Sequence, residues 1–192
     1  RQLLMAGTAS TNSAPRASLP GLPGFKNPVF DTQRIFRRLM RTMSLPGTVV
    51  TIDGIDLPAF EGVMPASAAT LMTLADRETA VWIDGDLCPS GISDYLRFHT
   101  GAPAAKQRQE AVFALIDGRS GASAFDGFNP GTDEYPDRSA TVIVQVEGFG
   151  TGQAKIIDGP GINEPREISV QGLVAGFWSR WTENQGKYPR GV

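Results

Sequence analysis

The chain has 192 residues, enough for one domain whose core needs no covalent cross-links, and its 41% hydrophobic content with 22 glycines and 14 prolines fits neither a disordered chain nor a helical bundle. A formal net charge of −2 excludes a global basic field that would hold nucleic acid or an anionic membrane. One cysteine and one histidine exclude an intramolecular disulfide and a zinc site of the usual soft ligands within one chain, so no metal and no disulfide are expected.

Residues 1–24 are rich in Ser, Ala, Thr, Pro and Gly and show little periodicity. We therefore predict a flexible N-terminal tail without regular structure, followed by a single domain over residues 25–192. No apolar run approaches the roughly 20 residues of a membrane helix. We expect a soluble, cytoplasmic protein with no membrane or nucleic-acid partner, and the lone Cys88 agrees with a reducing compartment.

Two helices and two strands are predicted in the first half of the domain. In chain order they are a helix from Phe30 to about Ser44, a strand over 48–52, a helix from Pro65 to about Ala75 and a strand over 80–83. Asp31 is the predicted N-cap of the first helix, because its carboxylate can accept hydrogen bonds from the unpaired amides there. The Asp53-Gly54 turn closes the first strand.

The second half is predicted to contain two helices and three strands. They are a helix over 91–98, strands over 111–116, 141–146 and 155–158, and a helix over 171–184, with a long connection over 119–138 that holds a short helix. The glycines of 148–152 read as a hairpin turn between two of these strands. Strands interleaved with helices predict an α/β fold of three layers, α/β/α, around a mixed sheet.

Four arginines lie on one side of the first predicted helix. Arg34, Arg37, Arg38 and Arg41 are spaced at i, i+3, i+4 and i+7, and we call this set the arginine stripe. Neighbouring guanidinium groups repel one another, so an acidic partner surface, this chain's own carboxylates or a phosphate would stabilise them. A solvated or internally salt-bridged helix face explains the stripe equally well.

The single imidazole, His99, is the natural candidate for proton transfer. A nucleophile or an orienting carboxylate at recognisable spacing is missing, so a structural histidine that caps a helix or bonds a backbone carbonyl is the favoured alternative. The neighbouring Arg97 could clamp an anion or pair with a local acid such as Asp94.

Several cofactor classes lack their motifs. The glycines of 148–152 lead into a strand pattern, which provides no helix N-terminus for a dinucleotide phosphate, and no Gly-x-x-x-x-Gly-Lys phosphate loop occurs. Pyridoxal phosphate needs a Schiff-base lysine, but Lys26, Lys106, Lys155 and Lys187 lie in no visible cofactor motif. We expect no cofactor.

Six sequence blocks together resemble one known family. They are Phe36-Arg37-Arg38-Leu39-Met40, Thr73-Leu74-Ala75-Asp76, Tyr95-Leu96-Arg97-Phe98-His99-Thr100-Gly101, Thr141-Val142-Ile143-Val144-Gln145-Val146, Gly159-Pro160-Gly161-Ile162 and Tyr188-Pro189-Arg190-Gly191. In this order they resemble the PhnH family, whose members are components of bacterial carbon-phosphorus lyase. The resemblance runs from about Gly24 to the end of the sequence, and the family pattern continues into a further strand that this sequence lacks.

The resemblance implies a fold like that of pyridoxal-phosphate-dependent transferases without the cofactor site. It also implies a homodimer in isolation and a larger complex with subunits G, I and J. That complex first exchanges the adenine of ATP for an alkylphosphonate, giving a ribose 1-alkylphosphonate 5-triphosphate, and a later radical step breaks the C–P bond. Nucleosidase chemistry is attributed to subunit I and radical chemistry to subunit J, and the family offers no established catalytic residue.

Two functions follow as hypotheses. The first is an accessory, non-redox subunit of organophosphonate breakdown, for which Arg34, Arg37, Arg38, Arg41 and Arg97 are candidate anion- or partner-binding residues. The second is a self-contained enzyme that uses His99 and Arg97 on a phosphorylated or phosphonate substrate.

Overall fold

The computed structural model describes residues 2–6, 21–87 and 91–192. The side chains of residues 2–4, 6 and 122 are not described. Cys88 lies outside these ranges. The elements in chain order are β1 (Gln2–Ala6), α1 (Pro28–Ser44), α2 (Pro65–Leu74), β2 (Val81–Ile83), α3 (Ile92–Thr100), β3 (Phe113–Asp117), β4 (Thr141–Val146), β5 (Gly148–Ile157), β6 (Arg166–Gln171) and α4 (Phe177–Gln185). Short 3₁₀ turns occupy Arg108–Glu110, Ala122–Phe125 and Pro136–Arg138.

The central sheet has four strands in the order β1-β4-β3-β2, and every pairing in it is parallel. Strands β3 and β4 are nearly continuous apolar runs, as expected for strands covered on both faces. The predicted mixed sheet is therefore wrong, because the antiparallel pair β5–β6 forms a separate ribbon. The broader α/β prediction is confirmed.

Alternate residues of the central strands enter two different cores. Leu115 and Ile143 join the core that α1, α2 and α3 cover, whereas Ile116 and Val144 join the core that contains Phe177 of α4. Because successive strand residues point to opposite faces, this division shows that both faces of the sheet are covered. Among residues 2–6, 21–87 and 91–192, no helix combines the length and the hydrophobicity that a bilayer-spanning segment requires.

Residues 48–52 form no strand, contrary to the prediction from their β-branched run. This segment runs beside α1, and the carbonyl oxygen of Thr51 accepts a hydrogen bond from Arg38 instead of joining a ladder. The carbonyl oxygens of Asp53 and Gly54 likewise accept from Arg34. Side-chain donors from the helix thus satisfy this backbone where a neighbouring strand would otherwise do so.

The predicted hairpin turn at 148–152 is also wrong. Gly148 to Ile157 form one strand, β5, which pairs with β6, a strand the sequence analysis missed, and the turn lies at 158–165. The pairing register shifts between Phe149 and Gln153, so the glycines accommodate a bulge within a strand.

Part of the predicted tail is ordered as a strand. Gln2–Ala6 form β1, which pairs in parallel with β4, so that Gln2 lies opposite Val142 and Ala6 opposite Val146. Met5 is buried in the core shared with α2. The short apolar run of these residues predicts no element by itself, because its pairing depends on the edge of β4, which lies far along the chain.

Candidate functional site

The arginine stripe lies on α1, a helix with one well-defined buried side. Ile35 and Leu39 are each only 1% exposed and face the core, which turns the arginines toward the surface. Asn27 is the N-cap residue rather than Asp31 as predicted. Asp31 lies inside the first turn, where its Oδ2 accepts a hydrogen bond of 3.0 Å from the backbone N–H of Asn27.

Two of the four arginines are bound to this chain's own residues. Arg34 donates to the carbonyl oxygen of Asp53 at 2.6 Å and forms ion pairs with Asp31 and Asp53, each at 3.2 Å. Arg38 donates to the carbonyl oxygen of Thr51 and forms an ion pair of 2.5 Å with Asp53. The hydrogen bond from Arg38 lowers the pKa of the Asp53 carboxyl. These arginines hold the 51–54 segment against α1.

The other two arginines have no such role. Arg37 and Arg41 are exposed, and neither has an ion-pair or hydrogen-bond partner through its side chain among the described residues. They lie four residues apart and therefore on the same side of the helix. The structure thus divides the stripe into an internal pair and a pair that is available to an external anion.

His99 packs against the segment that precedes α1. Its Nε2 lies 3.0 Å from the carbonyl oxygen of Leu22, and its ring contacts Tyr95, with ring centroids 4.4 Å apart. Tyr95 donates a hydrogen bond of 2.8 Å to the carbonyl oxygen of Pro23, and burial raises the pKa of its hydroxyl to about 12. In the described part of the chain no carboxylate bonds the imidazole, so the geometry is that of the carbonyl-bonded alternative.

Arg97 is exposed at the other side of α3 from the buried Leu96 and Tyr95. Among the residues described it forms no ion pair, so the suggested pairing with Asp94 does not occur. In the part of the chain that the structure describes, no hydrogen bond joins Arg97 to His99.

Polar residues at the carboxyl ends of the central strands were missed by the sequence analysis. Gln145, only 2% exposed, donates to the carbonyl oxygen of Gly62 at 2.9 Å and accepts from the backbone N–H of Met64 at 2.7 Å. Asp84, at the end of β2, accepts a hydrogen bond from the hydroxyl of Ser120. The sequence does contain a signal for these residues, because each lies near the end of an apolar strand pattern or directly after it. Parallel strands end at the same edge of a sheet, so polar residues at their carboxyl ends are expected to lie near one another.

A further polar contact lies at the same edge. Asp117 is bonded by the Nε and a terminal nitrogen of Arg119 at 3.0 and 2.7 Å, and this bidentate hydrogen bonding lowers the pKa of the Asp117 carboxyl. Like the bonds of Gln145 and Asp84, this contact ties a loop to the sheet. Each of these three side chains is therefore bonded to another part of this chain.

An open cavity of about 420 Å³ lies between β5, β6 and the start of α4. Lys155 and Trp178 line it, with the Lys155 Nζ 6.0 Å from the Trp178 ring centroid. None of the candidate arginines or His99 lines this cavity.

Comparison with known proteins adds to this geometry. A family model described as "Bacterial phosphonate metabolism protein (PhnH)" matches residues 23–192. The chain belongs to the PhnH family. Two relatives agree with this. The "Alpha-D-ribose 1-methylphosphonate 5-triphosphate synthase subunit PhnH" of Rhizobium meliloti (strain 1021) is 37% identical over 168 residues, covering 88% of this chain and 84% of the relative. The "Putative C-P lyase subunit protein HtxG" of Stutzerimonas stutzeri is 33% identical over 160 residues, covering 83% and 75%.

The PhnH match includes every candidate residue described above. It begins just before α1, so both the arginine stripe and α3 with His99 lie in the PhnH region, whereas β1 precedes it. The family resemblance stated from the sequence blocks is confirmed.

Proposed function

We propose that this chain is an accessory subunit of a carbon-phosphorus lyase system in organophosphonate catabolism. The observation that carries the proposal is the PhnH match over residues 23–192, together with the 37% identical relative named as a subunit of ribose 1-methylphosphonate 5-triphosphate synthase. In this role the chain helps to form ribose 1-alkylphosphonate 5-triphosphate from ATP and alkylphosphonate, with release of adenine.

The arrangement of His99 supports an accessory rather than a catalytic role. A general base needs the reacting proton within hydrogen-bond reach, and a partner that orients it. The Nε2 of His99 lies 3.0 Å from the Leu22 carbonyl oxygen, and a Cβ added at Gly24 would lie only 3.0 Å from its Nδ1. One ring nitrogen is therefore engaged by this chain's own backbone, and the ring is packed closely against the segment that precedes α1.

The proposed partners are subunits G, I and J in a cytoplasmic complex, with a homodimer of this chain in their absence. The unpaired Arg37 and Arg41 are the proposed contact residues on α1, and Arg97 is a third exposed cation on α3. We also propose that the layered α/β core corresponds to a pyridoxal-phosphate-transferase-like fold that works without that cofactor.

Copurification tests the proposal directly. The full chain is coexpressed with affinity-tagged subunits G, I and J of the same bacterium and purified at physiological salt. We expect this chain to be recovered with the other subunits in a constant ratio. Failure to join them at any ratio would contradict the proposal.

A further inference from the structure

One side of α1 carries apolar side chains that the described chain leaves partly or largely exposed. We call the outer face of α1 the surface formed by Val29, Phe30, Phe36, Arg37, Met40 and Arg41. Its apolar members are 77%, 74%, 43% and 37% exposed, in that order. At 100° per residue all six fall within roughly 140° of the helix circumference, an arc that also contains the exposed Gln33 and Ser44. They lie opposite the buried Ile35 and Leu39.

The charges on the outer face lack the compensation found elsewhere on the helix. Arg37 and Arg41 are separated by one turn, an arrangement that is destabilising for like charges. Arg34 and Arg38 have the same spacing, but Asp31, Asp53 and backbone carbonyl oxygens surround them. Two carboxylates of a partner would form ion pairs with Arg37 and Arg41, as Asp53 does with Arg34 and Arg38.

A second copy of this chain does not provide that complement. Packing α1 against α1 about a two-fold axis brings identical surfaces together. The outer face contains two arginines and no carboxylate, so such a dimer would bring four guanidinium groups together and gain no ion pair.

We propose that the outer face docks an amphipathic helix of a partner subunit, one that carries carboxylates four residues apart beside an apolar stripe. This inference rests on the proposed function, because it names how the chain joins its complex. The apolar stripe of the partner covers Val29, Phe36 and Met40. Its carboxylates pair with Arg37 and Arg41, which set the orientation and register of the two helices.

The first test measures binding of the full chain to the copurified subunits G, I and J. We compare the wild type with R37E/R41E and with K106E/K187E, which changes the net charge equally at exposed lysines outside α1. We expect R37E/R41E to raise the Kd at least tenfold and to reduce its dependence on salt, whereas K106E/K187E stays within about threefold of the wild type. Equal melting temperatures verify that the variants are folded, and R37A/R41A provides a milder replacement if R37E/R41E is not.

The outcomes separate this inference from the proposed function. If the wild type does not bind, the proposed function fails and this inference fails with it. If the wild type binds and R37E/R41E binds equally well, only the docking surface is wrong.

A photo-crosslinking residue at position 36 identifies the occupant. Because Phe36 is 43% exposed and flanked by Arg37 and Met40, a benzophenone in its place samples the outer face. We expect mass spectrometry to find the crosslink on a segment of a partner protein with carboxylates at i and i+4. A crosslink to a second copy, or to residues 7–20 of the same chain, would overturn the proposal.

Discussion

The guanidinium of Arg38 and the carboxylate of Asp53 form an ion pair of 2.5 Å that joins the middle of α1 to the segment following it. Arg38 also donates to the carbonyl oxygen of Thr51, so one side chain fixes two points of that segment. Arg37, the preceding residue, has no comparable contact among the described residues. Of two adjacent arginines in one helix, one therefore binds the segment that follows the helix, whereas the other is left exposed.

Replacing these two arginines should affect stability differently. We expect R38A to lower the Tm by about 2–4 °C, since it removes hydrogen bonds to a carbonyl and a carboxylate. R37A should change the Tm by less than about 1 °C, in keeping with an exposed side chain without partners. Differential scanning calorimetry of both variants provides the measurement, and equal Tm losses would contradict the division of the stripe.

Because of the Arg38–Asp53 pair, we also expect the stability of the fold to depend on pH in the acid range. The pKa of Asp53 is lowered in the folded protein, mainly by the hydrogen bond from Arg38. Its contribution to stability is therefore present above the ordinary pKa of 3.8 and is lost as the pH falls through the lowered folded pKa. Between pH 5 and pH 2 the stability difference between the wild type and D53N should shrink, as chemical denaturation can show. A difference that is constant over this range would be inconsistent with the pair.

Gln145 should be sensitive to an isosteric change. Q145E keeps an acceptor for the N–H of Met64 but loses the donor to the carbonyl oxygen of Gly62 and buries a charge. We expect the free energy of unfolding to fall by about 3 kcal/mol, because a carboxylate replaces the amide of a side chain that is only 2% exposed and the Gly62 carbonyl oxygen loses its donor. Urea denaturation provides the measurement. The same change at the exposed Gln153 should cost less than about 0.5 kcal/mol, and similar losses at both sites would count against this role.

Because the hydroxyl of Tyr95 is buried, we expect the free energy of unfolding to fall at alkaline pH. Its pKa is raised by burial from 10.0 to about 12, so its neutral form stabilises the fold below pH 10, and that stability is lost as the pH rises toward 12. Two pKa units correspond to about 2–3 kcal/mol. Y95F loses the hydrogen bond to Pro23 but has no hydroxyl to ionise. We expect its free energy of unfolding to decline less steeply between pH 10 and 12 than that of the wild type; parallel curves would refute the burial argument.

Two glycines of β5 have the same backbone requirement but differ in the space around them. Gly150 and Gly152 both have positive φ, 83° and 95°, but a Cβ at Gly150 meets nothing within 4 Å, whereas at Gly152 it would lie 2.5 Å from the carbonyl oxygen of Val170. G150A should therefore cost about 1 kcal/mol from backbone strain alone. G152A should cost clearly more, because the β5–β6 pairing must shift. Thermal denaturation of the two variants distinguishes them, and equal losses would contradict the close approach.

The sequence predicts those elements whose stability depends on local pattern. Thr141–Val146 is confirmed as β4, and α1 and α2 begin within two residues of their predicted starts. The strand expected at 48–52 fails because long arginine side chains, rather than a neighbouring strand, satisfy its carbonyl oxygens. Such a partner 13 residues away in sequence is invisible to periodicity.

The contacts of the candidate site likewise join residues that are far apart in the sequence. Helical spacing placed the four arginines on one side of α1, but which of them were paired depended on where Asp53 came to lie. For His99, the residues directly around it in the sequence could not reveal the Leu22 carbonyl oxygen, which is 77 positions away. Strand β1 depended in the same way on an edge formed by β4, far along the chain.

We propose that this chain contributes to phosphonate breakdown through association and does not run the reaction alone. The most direct measurement is the formation of ribose 1-methylphosphonate 5-triphosphate from ATP and methylphosphonate, with this chain alone, with subunits G, I and J alone, and with all of them together. We expect this product only in the complete mixture and none from the chain alone. Sustained product formation by the isolated chain, abolished by H99A in a variant that remains folded, would show that the chain is an enzyme by itself.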